Sequence, residues 1–360
     1  MRRLTLVAVG LVLGLVACEV ALRLVTAAGG VPVTPLRIEH GRWTAHPFLP
    51  FAGIPAAEYR LNDRTEQGEL RFEHIKNNAY GFRSHEFPPG RGERDVYIVC
   101  LGGSTTYGRR VESNASTWPE LLERRLAERY PDRHFTVFNL GIDRATSAVS
   151  VVNMALVAAH LDPHLVIVYQ GYNDSAAMGA RDYRTDHAHF YSDFDPARVW
   201  RGVQRSLPGW LAWSYAANRA AHALDRLLEL NDLAAEVGKP RLESDDPYAG
   251  MDTMLGNLTT IRSIAEGAGA RTLFSTFQFR DGDDPLHAGF NRHLREFFEG
   301  RGYDFVDQAR LLPDRDPTIN TDVCHFTPKG REMLADNFFQ HIVEHGLVEE
   351  EVAGSRSLAW

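Results

Sequence analysis

The sequence predicts an α/β domain with a doubly wound parallel β-sheet of five strands. From Asp95 onward, short β-branched or aromatic runs alternate with helical stretches, which is typical of βαβ units. The runs are mostly apolar, as expected for strands that helices cover on both faces. Hydrophobic residues form 44% and charged residues 24% of the 360 residues, a composition typical of a globular chain and not of a disordered one.

Each element follows from one of these runs. The predicted strands are Val96–Leu101, Phe135–Asn139, Leu165–Tyr169, Thr272–Phe277 and Tyr303–Val306. The predicted helices are Trp118–Arg129, Ser147–His160, Met251–Ala268, Leu286–Gly300 and Pro328–Glu344. Pro328 suits a first helical turn and Thr327 suits an N-cap, so two signals mark the start of the last helix.

One interval breaks the alternation. Between Ser175 and about Gly250 no strand appears where an ordinary crossover is expected, so residues 175–250 are predicted to be an insertion. It carries many aromatic residues and then an apolar series at helical spacing that begins at Trp213. Two interpretations stay open: the insertion covers a binding site, or its aromatic residues only pack an added helix onto the domain.

The N-terminus carries an export or membrane signal. Arg2 and Arg3 precede the apolar stretch Leu4–Leu22, which has 19 residues and Glu19 as its only charged member. This length is about that of a membrane span, and the arginines predict that the N-terminus stays inside. Two cleaved alternatives stay open: a lipobox that ends at Cys18, and small residues for a signal peptidase at 26–28.

These patterns divide the chain into segments. Residues 1–28 are expected to be a membrane anchor or signal segment, which places the remainder outside the cytoplasm, in the cell envelope or periplasm. Residues 29–94 are rich in proline and lack a helical period, which predicts an irregular lead-in. The α/β domain is expected at residues 95–346, with a C-terminal tail at 347–360.

Charge and cysteine spacing exclude several classes of partner. The formal net charge of −8 argues against nucleic acid, because nucleic-acid binders carry a basic face. Cys18, Cys100 and Cys324 form no CxxC pair, so neither a zinc finger nor a disulfide framework is predicted, and a Cys100–Cys324 bond is left open. We predict a turn, and not a metal site, at the acidic cluster of Asp281, Asp283, Asp284 and His287.

The first predicted strand runs directly into Gly102-Gly103-Ser104-Thr105. Ser104 therefore lies just beyond the carboxyl end of a strand, at the edge where open α/β sheets form ligand sites. The two glycines permit a tight turn, and the Ser104 N–H can point at a substrate carbonyl oxygen. The same residues also occur in ordinary loops and phosphate-binding turns, although no Lys-Ser/Thr pair follows to make a P-loop.

A nucleophilic serine needs a base and oxyanion donors. Asp322 and His325 follow the last strand, and their spacing lets the carboxylate hold the imidazole in the tautomer that accepts a serine proton. The alternative is an Asp/His pair that only satisfies loop backbone. Two loops at the same edge offer donors, namely the N–H of Gly141 and the side-chain amide of Asn173, although both are also common turn residues.

In this order along the chain, the segments around Ser104, Gly141, Asn173 and His325 resemble the sequence blocks of the SGNH (GDSL-like) hydrolase superfamily, and the resemblance runs from about Asp95 to Gly346. The resemblance implies a flavodoxin-like three-layer α/β/α fold with five parallel strands. It implies that Ser104 is the nucleophile, His325 the general base and Asp322 its partner. The Ser104 N–H, the Gly141 N–H and the Asn173 amide would form the oxyanion hole, without cofactor or metal.

One residue departs from the motif that names this superfamily. Gly103 stands where the Gly-Asp-Ser form has aspartate, but a Gly-Gly-Ser-Thr branch, often membrane-anchored, resembles this chain. That branch also tends to carry Asn-x-x-Gly-Phe-Arg before the first strand, and Asn78–Arg83 matches it. The match implies that the lead-in packs on the domain.

The expected function is a membrane-tethered extracytoplasmic serine esterase that removes small acyl groups, for example acetyl, from carbohydrate. A lipase or lysophospholipase, and an acyltransferase with the same triad, are alternatives within the same chemistry. A non-catalytic envelope protein that binds glycan or organises an export complex is the alternative from another class.

Overall fold

The computed structural model describes residue 10 and residues 13–24, 43–44, 46–64, 70–180, 183–191, 214, 216–217, 220 and 246–349. The chain divides into two compact units, residues 1–45 with 193–237 and residues 46–192 with 238–360. In the first unit, residues 13–24 are helical. Glu19 of this helix pairs with Arg23 (2.7 Å) and accepts hydrogen bonds from the Ser214 hydroxyl (3.0 Å) and the Ala216 N–H (2.8 Å).

The described helices include none that is both long and apolar enough to cross a membrane. Of the predicted apolar segment Leu4–Leu22, residues 4–9 and 11–12 lie outside the described part of the chain. The membrane anchor and its cleaved alternatives therefore stay predictions.

In the described part of the chain, four short strands precede the central sheet: β1 (Trp43–Thr44), β2 (Ala52–Gly53), β3 (Glu58–Arg64) and β4 (Leu70–Lys76). Strands β3 and β4 pair antiparallel, with Glu58 opposite Lys76 and Arg64 opposite Leu70. The hairpin lies within the segment that the sequence predicts to be irregular. Its strands, EYRLNDR and LRFEHIK, are mostly polar, so no apolar run marks them in the sequence.

The second unit contains the predicted five-stranded parallel sheet, which confirms the fold class. Its strands are β5 (Asp95–Gly102), β6 (His134–Asn139), β7 (Leu165–Tyr169), β8 (Arg271–Ser275) and β9 (Phe305–Val306). The spatial order is β6-β5-β7-β8-β9, and every neighbouring pair is parallel. This order is that of flavodoxin-like sheets, in which the strand order reverses beside the first strand.

The helices of this unit are α1 (Ser104–Tyr107), α2 (Trp118–Arg129), α3 (Ser147–Leu156), α4 (Tyr172–Met178), α5 (Met251–Gly267), α6 (Pro285–Arg301), α7 (Gln308–Leu311) and α8 (Pro328–Glu344). Short 3₁₀ turns occupy Asn114–Ser116 and Ala158–Leu161. The connection through α2 runs from β5 to β6 on one side, and the connection through α3 runs from β6 back past β5 to β7. Because both crossovers are right-handed, α2 and α3 lie on opposite faces of the sheet. Accordingly, α2 packs with α8 and α3 packs with α5.

The lead-in contacts the domain directly behind the end of β5. Asn78 accepts hydrogen bonds from the N–H groups of Tyr80 and Phe82 (both 3.0 Å), which shapes the turn before Arg83. The Arg83 side chain is 1% exposed and donates to the carbonyl oxygens of Gly108 and Val111. These hydrogen bonds hold the segment that follows α1, and Ser104 is the first residue of α1.

Candidate active site

Ser104 lies at the junction between β5 and α1. Strand β5 ends at Gly102 and α1 begins at Ser104, so the serine occupies a first helical position, where the backbone N–H has no intrahelical partner. A Cβ at position 102 would lie 2.1 Å from the Thr106 hydroxyl oxygen, and a Cβ at position 103 would lie 2.6 Å from the Asn173 amide nitrogen. A Cβ at position 102 would also lie 2.7 Å from the Tyr169 carbonyl oxygen, so close approach to backbone requires Gly102, whereas a Cβ at position 103 would require the Asn173 side chain to shift.

The structure brings Ser104, His325 and Asp322 into one hydrogen-bonded chain. His325 Nε2 is 2.9 Å from Ser104 Oγ, and His325 Nδ1 is 2.8 Å from Asp322 Oδ2. The other carboxylate oxygen of Asp322 accepts from the backbone N–H groups of Cys324 (3.0 Å) and His325 (2.9 Å). One short loop thus fixes both the carboxylate and the imidazole, as the three-residue spacing predicts.

Opposite pKa shifts accompany this contact. Burial opposes the charge on Asp322, but the hydrogen bond and the charge of His325 outweigh it and hold the pKa of this carboxyl well below its usual range. Burial likewise opposes charge on His325, but the neighbouring Cys324 sulfur and the hydrogen bond to Asp322 raise its pKa above the ordinary value. The Nδ1 proton therefore stays between His325 and Asp322, and Nε2 faces the serine hydroxyl.

Asn173 lies beside the nucleophile at the start of α4. Its amide nitrogen donates to the Ala145 carbonyl oxygen (2.9 Å), so one of its two hydrogens is used to hold the loop before α3. The close approach to Gly103 places the same nitrogen next to the Ser104 backbone. The remaining amide hydrogen is then available to a substrate oxygen at this position.

The N–H of Gly141, a predicted oxyanion donor, has a hydrogen-bond partner within the protein. Its N–H donates to Asn139 Oδ1 (3.0 Å), and a Cβ here would lie 2.3 Å from the Tyr107 backbone nitrogen. Gly141 therefore serves close packing against α1 in this structure, and its role as an oxyanion donor stays a prediction. From this loop, the Ala145 carbonyl oxygen would lie 3.2 Å from a Cβ at Gly103, and Arg144 before it has a left-handed φ of 62°.

Two residues that the sequence analysis did not assign to the site hold this loop. The Asp174 carboxylate accepts from the Ser147 N–H (2.9 and 3.0 Å) and from the Ser147 hydroxyl (2.5 Å). Complete burial raises the pKa of Asp174 to about 6, although the Ser147 hydrogen bonds act against the shift. In the sequence, Asp174 is visible only as the residue after Asn173.

The described part of the insertion contacts the same loop. The Tyr191 hydroxyl donates to the Arg144 carbonyl oxygen (2.9 Å) and accepts from the Thr146 N–H (3.0 Å). The Arg144 guanidinium lies 5.6 Å from the centre of the Phe190 ring. The other aromatic residues that suggested a cap lie outside the described residues, apart from Tyr183, so the cap stays a prediction.

Among the remaining candidates, Cys324 lies beside the triad, with its Sγ 3.6 Å from His325 Nδ1. All three cysteines are free thiols, and burial raises the pKa of Cys100 well above its usual value. His287 stacks on Phe279 with ring centres 4.0 Å apart, and its Nδ1 lies 3.0 Å from the Asp281 carbonyl oxygen. A cavity of about 770 Å³ between the lead-in and α3 is lined by none of the predicted site residues.

Comparison with known proteins identifies the family of this chain. The model of the GDSL-like Lipase/Acylhydrolase family matches residues 100–333. An α/β hydrolase enzyme from the metagenome of Lake Arreo, Spain, is 16% identical, with 71% of this chain and 97% of that chain covered and a TM-score of 0.42. A catalytic mutant of an acetylxylan esterase from Geobacillus stearothermophilus is 14% identical, with 74% and 99% covered and a TM-score of 0.42. No curated protein matches the chain.

Proposed function

Because the chain belongs to the GDSL-like lipase/acylhydrolase family, we propose that it is a serine esterase in which Ser104 carries the acyl group. The observation that carries this proposal is the hydrogen-bonded chain from Ser104 Oγ through His325 to Asp322. A protein that only binds glycan or organises a complex has no physical need for a serine, a histidine and an aspartate that are hydrogen-bonded in series at the start of a helix. The non-catalytic alternative is therefore disfavoured.

The reaction proceeds in two acyl-transfer steps. Ser104 Oγ attacks the ester carbonyl carbon while its proton passes to His325 Nε2, and Asp322 stabilises the imidazolium. The carbonyl oxygen becomes an oxyanion, which the Ser104 N–H and the Asn173 amide stabilise, with Gly141 as the third donor implied by the superfamily. His325 then protonates the departing alcohol. Water, deprotonated by His325, attacks the acyl-enzyme and releases the acid and free Ser104.

We propose small acyl esters, for example acetyl groups on carbohydrate, as the substrate class, with the enzyme tethered at the outer side of the membrane. Support comes from the N-terminal pattern of Arg2, Arg3 and the apolar stretch Leu4–Leu22, and from the resemblance to the often anchored Gly-Gly-Ser-Thr branch. Such a tether would bring the site to the esters of envelope polymers. An acyl-chain substrate or transfer to a sugar hydroxyl would use the same three residues.

The test uses the full-length chain in detergent with p-nitrophenyl esters of increasing acyl length. We expect cleavage of the acetate that falls with chain length, and its loss in Ser104→Ala but not in Ser263→Ala, an exposed serine of α5. A fluorophosphonate should label the parent and the Ser263 variant and leave the Ser104 variant unlabelled. Preference for long acyl chains would shift the substrate to lipids. Ester cleavage that survives Ser104→Ala would contradict the nucleophile.

A further inference from the structure

The described part of the chain contains three clusters of three potential metal ligands. Within each cluster the ligand atoms lie within 4.8 Å of one another. Imidazole, thiolate and carboxylate groups are the ligands that transition metals use in proteins. The first cluster, Asp322 with Cys324 and His325, belongs to the proposed catalytic site. The other two lie outside it: His85 with Glu120 and Glu123, and Asp304 with His341 and His345.

The His85 cluster is an ion pair. His85 Nε2 lies 3.2 Å from Glu120 Oε1 and 3.0 Å from Glu123 Oε2. Hydrogen bonding to these two carboxylates raises the pKa of His85 to about 10, against the opposing effect of burial. At neutral pH a proton therefore occupies the nitrogen that a metal would need, so this cluster does not favour a metal.

The third cluster combines two elements of the fold. His341 lies in the last turn of α8 and His345 follows one turn later, with ring centres 4.1 Å apart. Asp304 directly precedes β9 and contributes the carboxylate. Two histidines at i and i+4 on one helical face, together with a carboxylate, form a ligand set that zinc sites use.

His341 presents a buried nitrogen to this cluster. Its Nε2 is buried and has no hydrogen-bond partner in the structure, which is costly for a polar atom.

We propose that Asp304, His341 and His345 bind one transition-metal dication of the zinc class. Two imidazoles favour zinc, nickel or copper over calcium or magnesium, which prefer oxygen ligands. Tetrahedral coordination with bonds of about 2.1 Å needs ligand atoms roughly 3.4 Å apart. Asp304 and His345 are exposed, so their side chains close this gap by rotation, and water completes the coordination.

The bound metal would tie the end of α8 to the start of β9. Helix α8 begins at Pro328, three residues after His325, so the tie stabilises the element that follows the proposed catalytic loop. Because the metal binds the folded chain, it stabilises that state by an amount that grows with the logarithm of the free metal concentration above the Kd. This consequence does not depend on the proposed esterase activity.

The test measures Zn²⁺ binding to the full-length chain after chelator treatment, by calorimetry, and its effect on the thermal midpoint. We expect one Zn²⁺ per chain and a midpoint that rises with Zn²⁺ concentration. Both His345→Ala and Asp304→Asn should weaken binding roughly tenfold or more, because each removes one of three ligands. His134→Ala, whose side chain is 71% exposed on another element, should bind as the parent does.

Two further variants identify the site that binds. Cys324→Ser removes the thiol of the catalytic cluster, and Glu120→Gln removes a carboxylate of the His85 ion pair. If both variants bind Zn²⁺ as the parent does, the result supports the third cluster as the site. Co²⁺ absorption that changes in His345→Ala would support imidazole ligation independently. No Zn²⁺ binding by the parent, or binding lost in Cys324→Ser or Glu120→Gln and kept in His345→Ala, would overturn the proposal.

Discussion

Arg110 and the triad carboxylate Asp322 form an ion pair in which Arg110 Nη1 lies 2.7 Å from Asp322 Oδ2. The same oxygen lies 2.8 Å from His325 Nδ1, so one carboxylate oxygen is shared by a guanidinium and the proposed base. Arg110 adopts a left-handed φ of 63°, an uncommon conformation for a residue other than glycine. The backbone turn after α1 thus directs a cation at the carboxylate that controls His325.

Replacement of this cation should change the pH dependence of the reaction. In Arg110→Gln the Asp322 charge acts on His325 unopposed, which raises the pKa of His325 further. The base works only when deprotonated, so we expect the rising limb of the kcat/KM profile to move to higher pH by about one pH unit. Arg110→Lys keeps the charge and should leave the limb near that of the parent.

The two readouts separate charge from positioning. If Arg110 only orients Asp322, Arg110→Gln lowers kcat at every pH and leaves the limb in place. If neither kcat nor the limb changes, the ion pair has no part in the reaction.

The contact between Gly103 and Asn173 predicts an interaction between two substitutions. Asn173→Ala removes a proposed oxyanion donor, and loss of one such donor costs about 2.7–4 kcal/mol, or roughly a hundredfold or more in kcat. In Gly103→Ala the new Cβ meets the Asn173 amide nitrogen at 2.6 Å and displaces it, so kcat should also fall. The double variant should be little worse than Asn173→Ala, because the displaced group is already absent.

A glycine with open space provides the control. A Cβ at Gly256, in α5, meets nothing within 4 Å, so Gly256→Ala should keep the activity of the parent. Independent, multiplicative losses from Gly103→Ala and Asn173→Ala would show that Gly103 does not act through the amide.

Local signals in the sequence predict the sheet and its helices closely. Leu165–Tyr169, Trp118–Arg129 and Pro328–Glu344 have the same bounds in sequence and structure, because apolar periods and Pro or Gly signals define their ends. The helix predicted over Ser147–His160 ends at Leu156, where Val157 leaves helical backbone angles and a 3₁₀ turn follows. No proline or glycine marks that end in the sequence.

The contacts between distant segments are what the sequence does not predict. The approach of Ser104, Asn173 and His325 follows from the shared sheet edge, but Arg110 has no pattern that points to Asp322. Likewise, the sequence cannot tell which N–H of the loop after β6 faces the serine, since this depends on the bond between Gly141 and Asn139. Such contacts depend on tertiary packing, which a linear pattern does not encode.

The buried Asp174 should make the stability of the loop before α3 depend on pH. Its pKa in the folded chain, about 6, lies above the ordinary value of 3.8. Folding therefore favours the protonated form of Asp174. Its contribution to the free energy of unfolding is complete below pH 3.8 and is lost as pH rises through 6. We expect Asp174→Asn, which does not titrate, to lower the free energy of unfolding most at acidic pH. A difference in urea unfolding that grows from pH 4 to pH 7 would contradict this sign.

The ion pair of His85 should lose its contribution to stability at a higher pH than Asp174 does. Its folded pKa of about 10 lies above the ordinary 6.5, because Glu120 and Glu123 stabilise the imidazolium. The contribution of this ion pair to the free energy of unfolding is complete below pH 6.5 and is lost as pH rises through 10. We expect His85→Gln to lower the urea midpoint at pH 7 and to match the parent above about pH 10. His74→Gln, in the exposed pair with Glu58, should change the midpoint little at either pH, since exposed pairs contribute little. An unfolding difference for His85→Gln that stays constant from pH 7 to pH 11 would show that its side chain acts through packing and not through charge.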